Sequence, residues 1–382
     1  MNNTVKNILQ LIKSAVTGEK AILSKDINWQ DIYTFASAHR ITTLIYYGIK
    51  NSEAELPKEI AELFKRKMYK STVLSAENDY QLSLATAAFE RLGIAYMPMK
   101  GLVVREFYPR PDMRTVGDAD ILIHPEQIAS ASKVLEEMGY TFVKESSHEC
   151  VWQKKHTKIE LHKKLIGNAF EEYSEYYDNT LRFFENSSDG THLHKMTIDD
   201  LFVYLIVHIA KHYRNGGIGL RHFIDLYVIK NACSDLNDNY ITGELTKMDL
   251  EKFYTNICDM LDVWFNNKKS SEVTTAMTVR VFESGIFGSS DNKTRARAAN
   301  STKKTPLLYK LFHAVFLPMS QMKQLYPNLE KAPILLPVFW IIRIFNLLLF
   351  KRNRIKKYAN GIKLSTQSEA DKFKDELKLV GF

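Results

Sequence analysis

Cysteine is scarce in this sequence, which has only three among 382 residues, at Cys150, Cys233 and Cys258. These residues are widely spaced and form no Cys-x-x-Cys pair, which argues against a structural zinc site and a disulfide framework. The N-terminus, MNNTVKNILQLIKSAVTGEK, lacks the continuous apolar stretch and small-residue cleavage site of a secretory signal. We therefore expect a cytoplasmic protein.

Several common binding motifs are also missing. The loop GGIG (216–219) lacks the Gly-x-Gly-x-x-Gly spacing of a dinucleotide site, and no RNA-recognition signature, internal repeat or low-complexity tract is visible. In HIAKH, His208 and His212 have the spacing of a zinc pair, but Ile209 stands where a zinc protease has glutamate. These absences disfavour dinucleotide, RNA-motif and zinc-protease functions.

Charge and hydrophobic content point to a globular protein with an anionic ligand. The net charge is +8, the pI is near 9.0 and 45% of the residues are hydrophobic. This balance suits a nucleotide, a nucleic acid or an acidic membrane surface, and charge alone does not choose among them.

The hydrophobic periodicity changes twice along the chain. Three- and four-residue spacing predicts an N-terminal helical region at 1–75, alternating strands predict a compact core at 76–166, and helical spacing returns at 167–382. This segregation favours an α+β fold, with a small mixed β-sheet core flanked by N-terminal and C-terminal helical regions.

Three acidic residues lie on predicted strands of the core. Alternate residues of a strand share a face, so Asp118 and Asp120 in DADILI point the same way while Ala119, Ile121 and Ile123 face the core. Glu160 in KIELHKK reaches the same edge if the two strands pair. Two carboxylates so placed can hold two Mg²⁺ ions about 3.5–4 Å apart, and Glu160 can complete the metal site and accept a proton.

Cations and backbone amides accompany these acids. Lys100 and Gly101 occupy a strand-to-helix turn, where amides and a lysine can bind phosphates. Arg114, in the loop before the aspartates, is a second candidate phosphate ligand.

The segment from Met99 to Tyr140 together with IELH resembles the uncharacterised nucleotidyltransferase family of the polymerase-β-like nucleotidyltransferase superfamily. The matching positions include a Lys-Gly turn, a Tyr-Pro turn, an arginine, an Asp-x-Asp strand, a Gly-Tyr pair and a closing strand with an acid and then histidine: Lys100, Gly101, Tyr108, Pro109, Arg114, Asp118, Asp120, Gly139, Tyr140, Glu160 and His162. The resemblance implies transfer of a nucleoside monophosphate from an NTP to an acceptor, with release of pyrophosphate. The wider superfamily usually has Gly-Ser or Gly-Gly where this chain has Lys-Gly.

The resemblance extends more loosely into the C-terminal helical region. A His-x-x-Lys-His helix with Lys211 and His212, followed by Arg221 and Asp225, is a candidate for closing the nucleotide site. A helix pair tied by polar contacts is the alternative. His162 either orients Glu160 or contacts the nucleotide, or else it is a solvent-exposed histidine at a sheet edge.

The most apolar stretch, PILLPVFWIIRIFNLLLF (333–350), precedes the basic run KRNRIKK. Pro337 and Arg343 interrupt it, which disfavours a membrane span. A buried helix is one interpretation, and peripheral contact of 333–357 with the inner membrane face is the other.

The sequence thus predicts a nucleotidyltransferase with two Mg²⁺ ions, an NTP substrate and an acceptor that is a small molecule, saccharide, protein or RNA. A non-catalytic nucleotide sensor, a membrane-associated assembly factor and a toxin-like tRNA nucleotidyltransferase remain alternatives.

Overall fold

Helices surround one five-stranded sheet in the described part of a computed structural model, which confirms the α+β prediction. The described residues are 2–167, 171–184, 191–284, 290–299, 333–350 and 366–382, with residues 316, 319, 322 and 329. Residues 351–357 of the predicted membrane-contact segment lie outside them.

The N-terminal region is helical, as its periodicity predicts. It comprises α1 (Asn3–Thr17), α2 (Trp29–Ala38), α3 (Thr42–Lys50) and α4 (Lys58–Arg91). Asn2 begins α1 by accepting a hydrogen bond from the amide of Val5, and Gly18 ends it with a φ of 77°. Helix α1 packs so closely on α3 that a Cβ at Gly48 would lie 2.0 Å from the carbonyl oxygen of Leu11. Only glycine fits at this crossing.

The sheet contains β1 (Tyr96–Pro98), β2 (Ala119–Ile123), β3 (Thr141–Glu145), β4 (Glu149–Lys154) and β5 (Thr157–His162) in the order β1-β2-β5-β4-β3. Strands β2 and β5 are parallel, and the other neighbours are antiparallel. The sheet is therefore mixed, as expected.

One face of this sheet forms an apolar core. Ile121 and Leu161 pack there with Phe89 of α4 and with Leu135 of α6 (Ile128–Glu137). The predicted inward positions Ala119, Ile121 and Ile123 all belong to this cluster. Strand parity then directs the intervening residues, including Asp120 and Glu160, to the opposite face.

Of the remaining helices, one lies between β1 and β2 in the chain and the others come after β5. Helix α5 (Gly101–Val104) connects β1 to the loop before β2. The later helices are α7 (Glu171–Tyr176), α8 (Ile198–Arg214), α9 (Leu220–Ala232), α10 (Asp238–Thr246), α11 (Glu251–Phe265), α12 (Glu272–Glu283), α13 (Ser290–Ala299), α14 (Leu336–Phe350) and α15 (Gln367–Val380).

The chain divides into two compact units. The first comprises Met1–Lys211, Ile218–Ile286 and Gly381–Phe382, and contains the sheet. The second comprises His212–Gly217 and Phe287–Val380, and has a small core of Ala296, Ala299, Ala370 and Phe373. Helix α4 continues through residue 75 without a break, and the domain limits at 75 and 166 stay a prediction.

The sequence analysis disfavoured a membrane-spanning helix in the apolar stretch 333–350. Among the described helices, none combines the length and apolarity needed to cross a bilayer.

Candidate active site

Asp120 and Glu160 face each other across the two parallel strands at the centre of the sheet. The register of β2 and β5 pairs Asp120 with Glu160 and Leu122 with His162. All of these side chains lie on the sheet face opposite the apolar core, and both carboxylates are buried. The strand pairing that the sequence analysis required for Glu160 is therefore present.

Two basic groups meet on a single oxygen of Asp120. The Lys100 ammonium lies 2.7 Å from Asp120 Oδ1, and His162 Nε2 lies 2.8 Å from the same atom. Burial by itself would raise the pKa of Asp120, but the charge of Lys100 and the hydrogen bond from His162 outweigh burial and hold that pKa well below its usual range. Asp120 is accordingly an anion whose charge is locally compensated.

Glu160 is less well compensated than Asp120. Its carboxylate pairs with Lys158, two residues earlier on β5, and lies 3.8 Å from His162 Nε2. Burial and then the negative charges of Asp120 and Asp118 raise the pKa of Glu160, although Lys158 opposes them. The Asp118 side chain is 42% exposed and lies 3.6 Å from the Lys158 ammonium. Three carboxylates thus lie close together, with Lys100 and Lys158 as the cations paired with them.

The donor groups in this region fit a divalent cation. Asp120, Glu160 and His162 offer ligand atoms that all lie within 4.8 Å of one another. Carboxylate oxygens are the ligands that Mg²⁺ prefers, whereas imidazole suits transition metals better. Because an ionised carboxylate only accepts hydrogen bonds, His162 Nε2 donates to Asp120 and holds its orientation.

His162 itself is buried, with 2% of its surface exposed, and β5 lies inside the sheet between β2 and β4. The alternative of a solvent-exposed histidine at a sheet edge is therefore wrong.

Lys100 has an unusual backbone conformation. Its φ is 49° and its ψ is −123°, a region that glycine occupies easily and residues with a Cβ rarely enter. The next residue, Gly101, leaves room for a neighbouring side chain, since a Cβ there would lie 3.3 Å from Arg114 Nη1. The strained turn directs the Lys100 ammonium onto Asp120.

Two substitutions separate this strain from the lost charge. Lys100→Gly and Lys100→Ala both remove the ammonium, but only alanine keeps a Cβ. We expect Lys100→Gly to be more stable than Lys100→Ala by about 1–3 kcal/mol, measured by urea unfolding of both variants. Equal free energies of unfolding would contradict a strained backbone at this position.

Arg114 and Asp225 form a second buried polar cluster. Arg114 Nε and Nη2 donate to the two carboxylate oxygens of Asp225 at 2.7 and 2.8 Å, and the Tyr108 hydroxyl donates to Asp225 Oδ1 at 2.8 Å. Arg221 donates to the Thr115 carbonyl at 3.2 Å, and burial followed by the charge of Arg114 lowers its pKa to about 9. This cluster ties the loop before β2 to helix α9, and the nucleotide-binding roles of its members stay predictions.

Helix α8 contributes to the surroundings of Lys100. Burial raises the pKa of Tyr204 to about 12, against the opposing charge of Lys100. Burial and then repulsion from Lys100 lower the pKa of Lys211. His212 follows Lys211 about 100° further around the helix, and its carbonyl accepts hydrogen bonds from the amides of Asn215 and Gly217.

Some of these residues were absent from the sequence predictions. Lys158 alternates with Glu160 and His162 on β5, so the strand period of two could have placed it on the same sheet face as the carboxylates. Tyr204 had no local signal, because it reaches the Lys100 region from a helix distant in sequence.

The model of the uncharacterised nucleotidyltransferase family matches residues 25–266, more than half of the chain. No curated protein and no solved structure matches. The matched range contains the whole sheet, the carboxylate cluster and the Arg114–Asp225 pair. The protein therefore belongs to the uncharacterised nucleotidyltransferase family and is an enzyme of the nucleotidyltransferase class.

Proposed function

We propose that the enzyme transfers a nucleoside monophosphate from an NTP to a hydroxyl group of an acceptor and releases pyrophosphate, with Mg²⁺ as its cofactor. The observation that carries this proposal is the register of β2 and β5, which places Asp120 directly opposite Glu160 on a buried face. The distances among Asp120, Glu160 and His162 support a cation site there.

Asp120 and Glu160, with Asp118 at the exposed margin, are the proposed ligands for two Mg²⁺ ions. When bound, the cations neutralise phosphate charge and lower the pKa of the acceptor hydroxyl. His162 holds Asp120 in place through their hydrogen bond. Glu160 accepts the hydroxyl proton in this proposal and needs no unusual pKa to do so, because the bound cation lowers the pKa of the hydroxyl.

The proposed reaction forms one bond, breaks one bond and moves one proton. The acceptor oxygen bonds to the α-phosphorus, its proton passes to Glu160, and the bond from the α-phosphorus to the bridging oxygen breaks. Lys100 and Lys211 supply positive charge for the phosphates, with the Gly101 amide beside Lys100. Most of the rate enhancement would come from positioning and charge compensation.

Labelled substrates test this function directly. The protein is incubated with each of the four α-labelled NTPs, Mg²⁺ and fractionated lysate, and we expect label transfer from at least one NTP together with pyrophosphate release. RNase treatment of the product separates an RNA acceptor from a sugar or protein acceptor. Nucleotide binding without transfer or pyrophosphate release in any fraction would favour the sensor alternative.

Peripheral membrane contact through 333–357 is a further proposal for the same protein. Helix α14 and the turn before it expose Ile334, Leu335, Val338, Ile341, Ile342 and Phe345, each between 40% and 87% exposed. Residues 331–368 contain eight lysines and arginines and no acid. An apolar helix face beside a basic segment suits an anionic lipid surface.

Vesicle flotation tests this contact. We expect the protein to float with phosphatidylglycerol-containing vesicles, to remain in solution with pure phosphatidylcholine, and to lose flotation when Ile341→Glu and Phe345→Glu are combined. Leu92→Glu, at a residue that is 64% exposed on the other unit, serves as the control and should float like the parent protein. Flotation unaffected by the paired substitutions would exclude this helix as the contact.

A further inference from the structure

A cavity of about 240 Å³ in the first unit is lined by basic and polar side chains. The lining residues with basic side chains are Arg40 of the α2–α3 turn, Lys67 and Lys70 of α4, and His156 of the β4–β5 turn, and Ser71 and Ser75 are also among them. None of the described residues lining this cavity is Asp or Glu. Such a lining attracts anions and repels cations.

Arg40 is held in a backbone conformation that favours glycine. Its φ is 53°, and the amide of Ile41 bonds to the Ala36 carbonyl at 2.9 Å across the end of helix α2. Glycine usually occupies the left-handed position of such a helix end. Residues with strained backbones concentrate at ligand sites, and Arg40 is such a residue in the lining of this cavity.

The loop before Asp118 is shaped around that guanidinium. A Cβ at Gly117 would lie 2.6 Å from Arg40 Nη1, so glycine leaves the space that the side chain fills. The Thr115 hydroxyl donates to the Arg40 carbonyl at 3.2 Å. Arg40 is therefore positioned by the residues that lead directly into Asp118.

The cavity adjoins the margin of the carboxylate cluster. Ser75, Asn78 and Val116 line both this cavity and a narrower cleft that reaches Asp118 and Lys158. Asn78 accepts a hydrogen bond of 2.8 Å from Thr157 at the start of β5. A ligand in the cavity would thus lie beside the strand ends that carry the proposed metal ligands.

We propose that this cavity binds an oxyanion group of a substrate, either the terminal phosphates of the nucleotide or a phosphate or carboxylate on the acceptor. The inference rests on the proposed function for its meaning, but oxyanion binding is measurable without turnover. The cavity volume of about 240 Å³ lies below the roughly 300–1,000 Å³ of pockets that enclose drug-sized ligands. The cavity therefore suits one charged group.

Inorganic phosphate is the probe for the first experiment. Thermal unfolding of the full chain is followed in increasing sodium phosphate, with sodium chloride at matched ionic strength to remove general screening. We expect phosphate to raise the melting temperature more than chloride does at the same ionic strength. We expect the Lys67→Ala and Lys70→Ala double variant to bind phosphate at least tenfold more weakly.

Lys58→Ala combined with Lys65→Ala is the matched control. These residues lie on the same helix, outside the cavity lining, and their loss changes the net charge equally. We expect this control to bind phosphate like the parent. Equal weakening in both double variants, or no specific phosphate response in the parent, would overturn the proposed site.

Arg40→Gly tests the same site without disturbing the turn, because glycine adopts a positive φ freely. We expect at least tenfold weaker phosphate binding with the fold retained in circular dichroism. Undiminished binding in this variant would overturn the role of the strained arginine.

Calorimetry with ATP and Mg²⁺ identifies the source of the oxyanion. Weaker ATP binding in the Lys67→Ala and Lys70→Ala double variant assigns the cavity to the triphosphate, and unchanged ATP binding with lost phosphate binding assigns it to the acceptor. Phosphate binding by a protein that never transfers label would contradict the proposed function alone. Label transfer with phosphate binding unaltered by the cavity substitutions would contradict this inference alone.

Discussion

Replacing Asp120 with asparagine is expected to reduce nucleotidyl transfer by roughly a thousandfold or more, because the amide keeps the side-chain shape but loses the charge that binds the cation. Asp120 occupies the centre of the proposed metal site, opposite Glu160 and hydrogen-bonded to Lys100 and His162. The measurement is the rate of label transfer from the α-labelled NTP at saturating Mg²⁺.

Glu145→Gln is the matched control for this substitution. Glu145 lies on β3 of the same sheet, but its side chain is 53% exposed. The control should retain the parent rate, and circular dichroism should show that both variants are folded. Calorimetry with Mn²⁺ adds a readout that requires no acceptor. Parent-like transfer and Mn²⁺ affinity in Asp120→Asn would remove Asp120 from the metal site.

Replacing Arg114 with alanine is expected to lower the free energy of unfolding by about 3–5 kcal/mol, because it leaves the Asp225 carboxylate buried without its bidentate partner. Both side chains are almost fully buried, at 5% and 2% exposure. The sequence analysis predicts Arg114 at the nucleotide, whereas its contacts with Asp225 give it a stabilising role that requires no nucleotide. Urea unfolding of the protein without ligand measures this effect.

Arg110→Ala provides the comparison with an exposed ion pair. Arg110 is 58% exposed and pairs with Asp112 at 3.2 Å, so its loss should cost about 1 kcal/mol or less. Arg114→Ala with Asp225→Ala should cost less than the sum of the single changes, since the partners are coupled. A mild effect of Arg114→Ala on stability, with a large loss of NTP affinity, would instead support its predicted role at the nucleotide.

The sheet and its carboxylate face were accessible from the sequence. Alternation in DADILI and KIELHKK assigns Ala119 and Ile121 to the core and Asp120 to the opposite face, because a strand has a period of two. Helical spacing likewise indicated α8 and α9. Local periodicity carries these features because each depends only on residues close together in the chain.

The pairing of charges depended on tertiary structure. Arg114 and Asp225 are 111 positions apart, and no periodicity in either segment specifies that one buried carboxylate will receive both that arginine and Tyr108. The strained backbone of Lys100 is equally invisible locally, since lysine has no preference for a positive φ.

Sequence alone therefore predicted the α+β fold, the sheet faces and the three candidate carboxylates, whereas the pairing of β2 with β5 decided that Glu160 lies opposite Asp120. Tertiary structure decided which cation meets which carboxylate, and it brought Arg40 against Gly117 to shape the basic cavity. The physical reason is the separation along the chain of the residues that decide each feature. Strand parity and helix spacing are properties of neighbouring residues, whereas ion pairs and cavities arise only where the folded chain brings distant segments together and removes them from water.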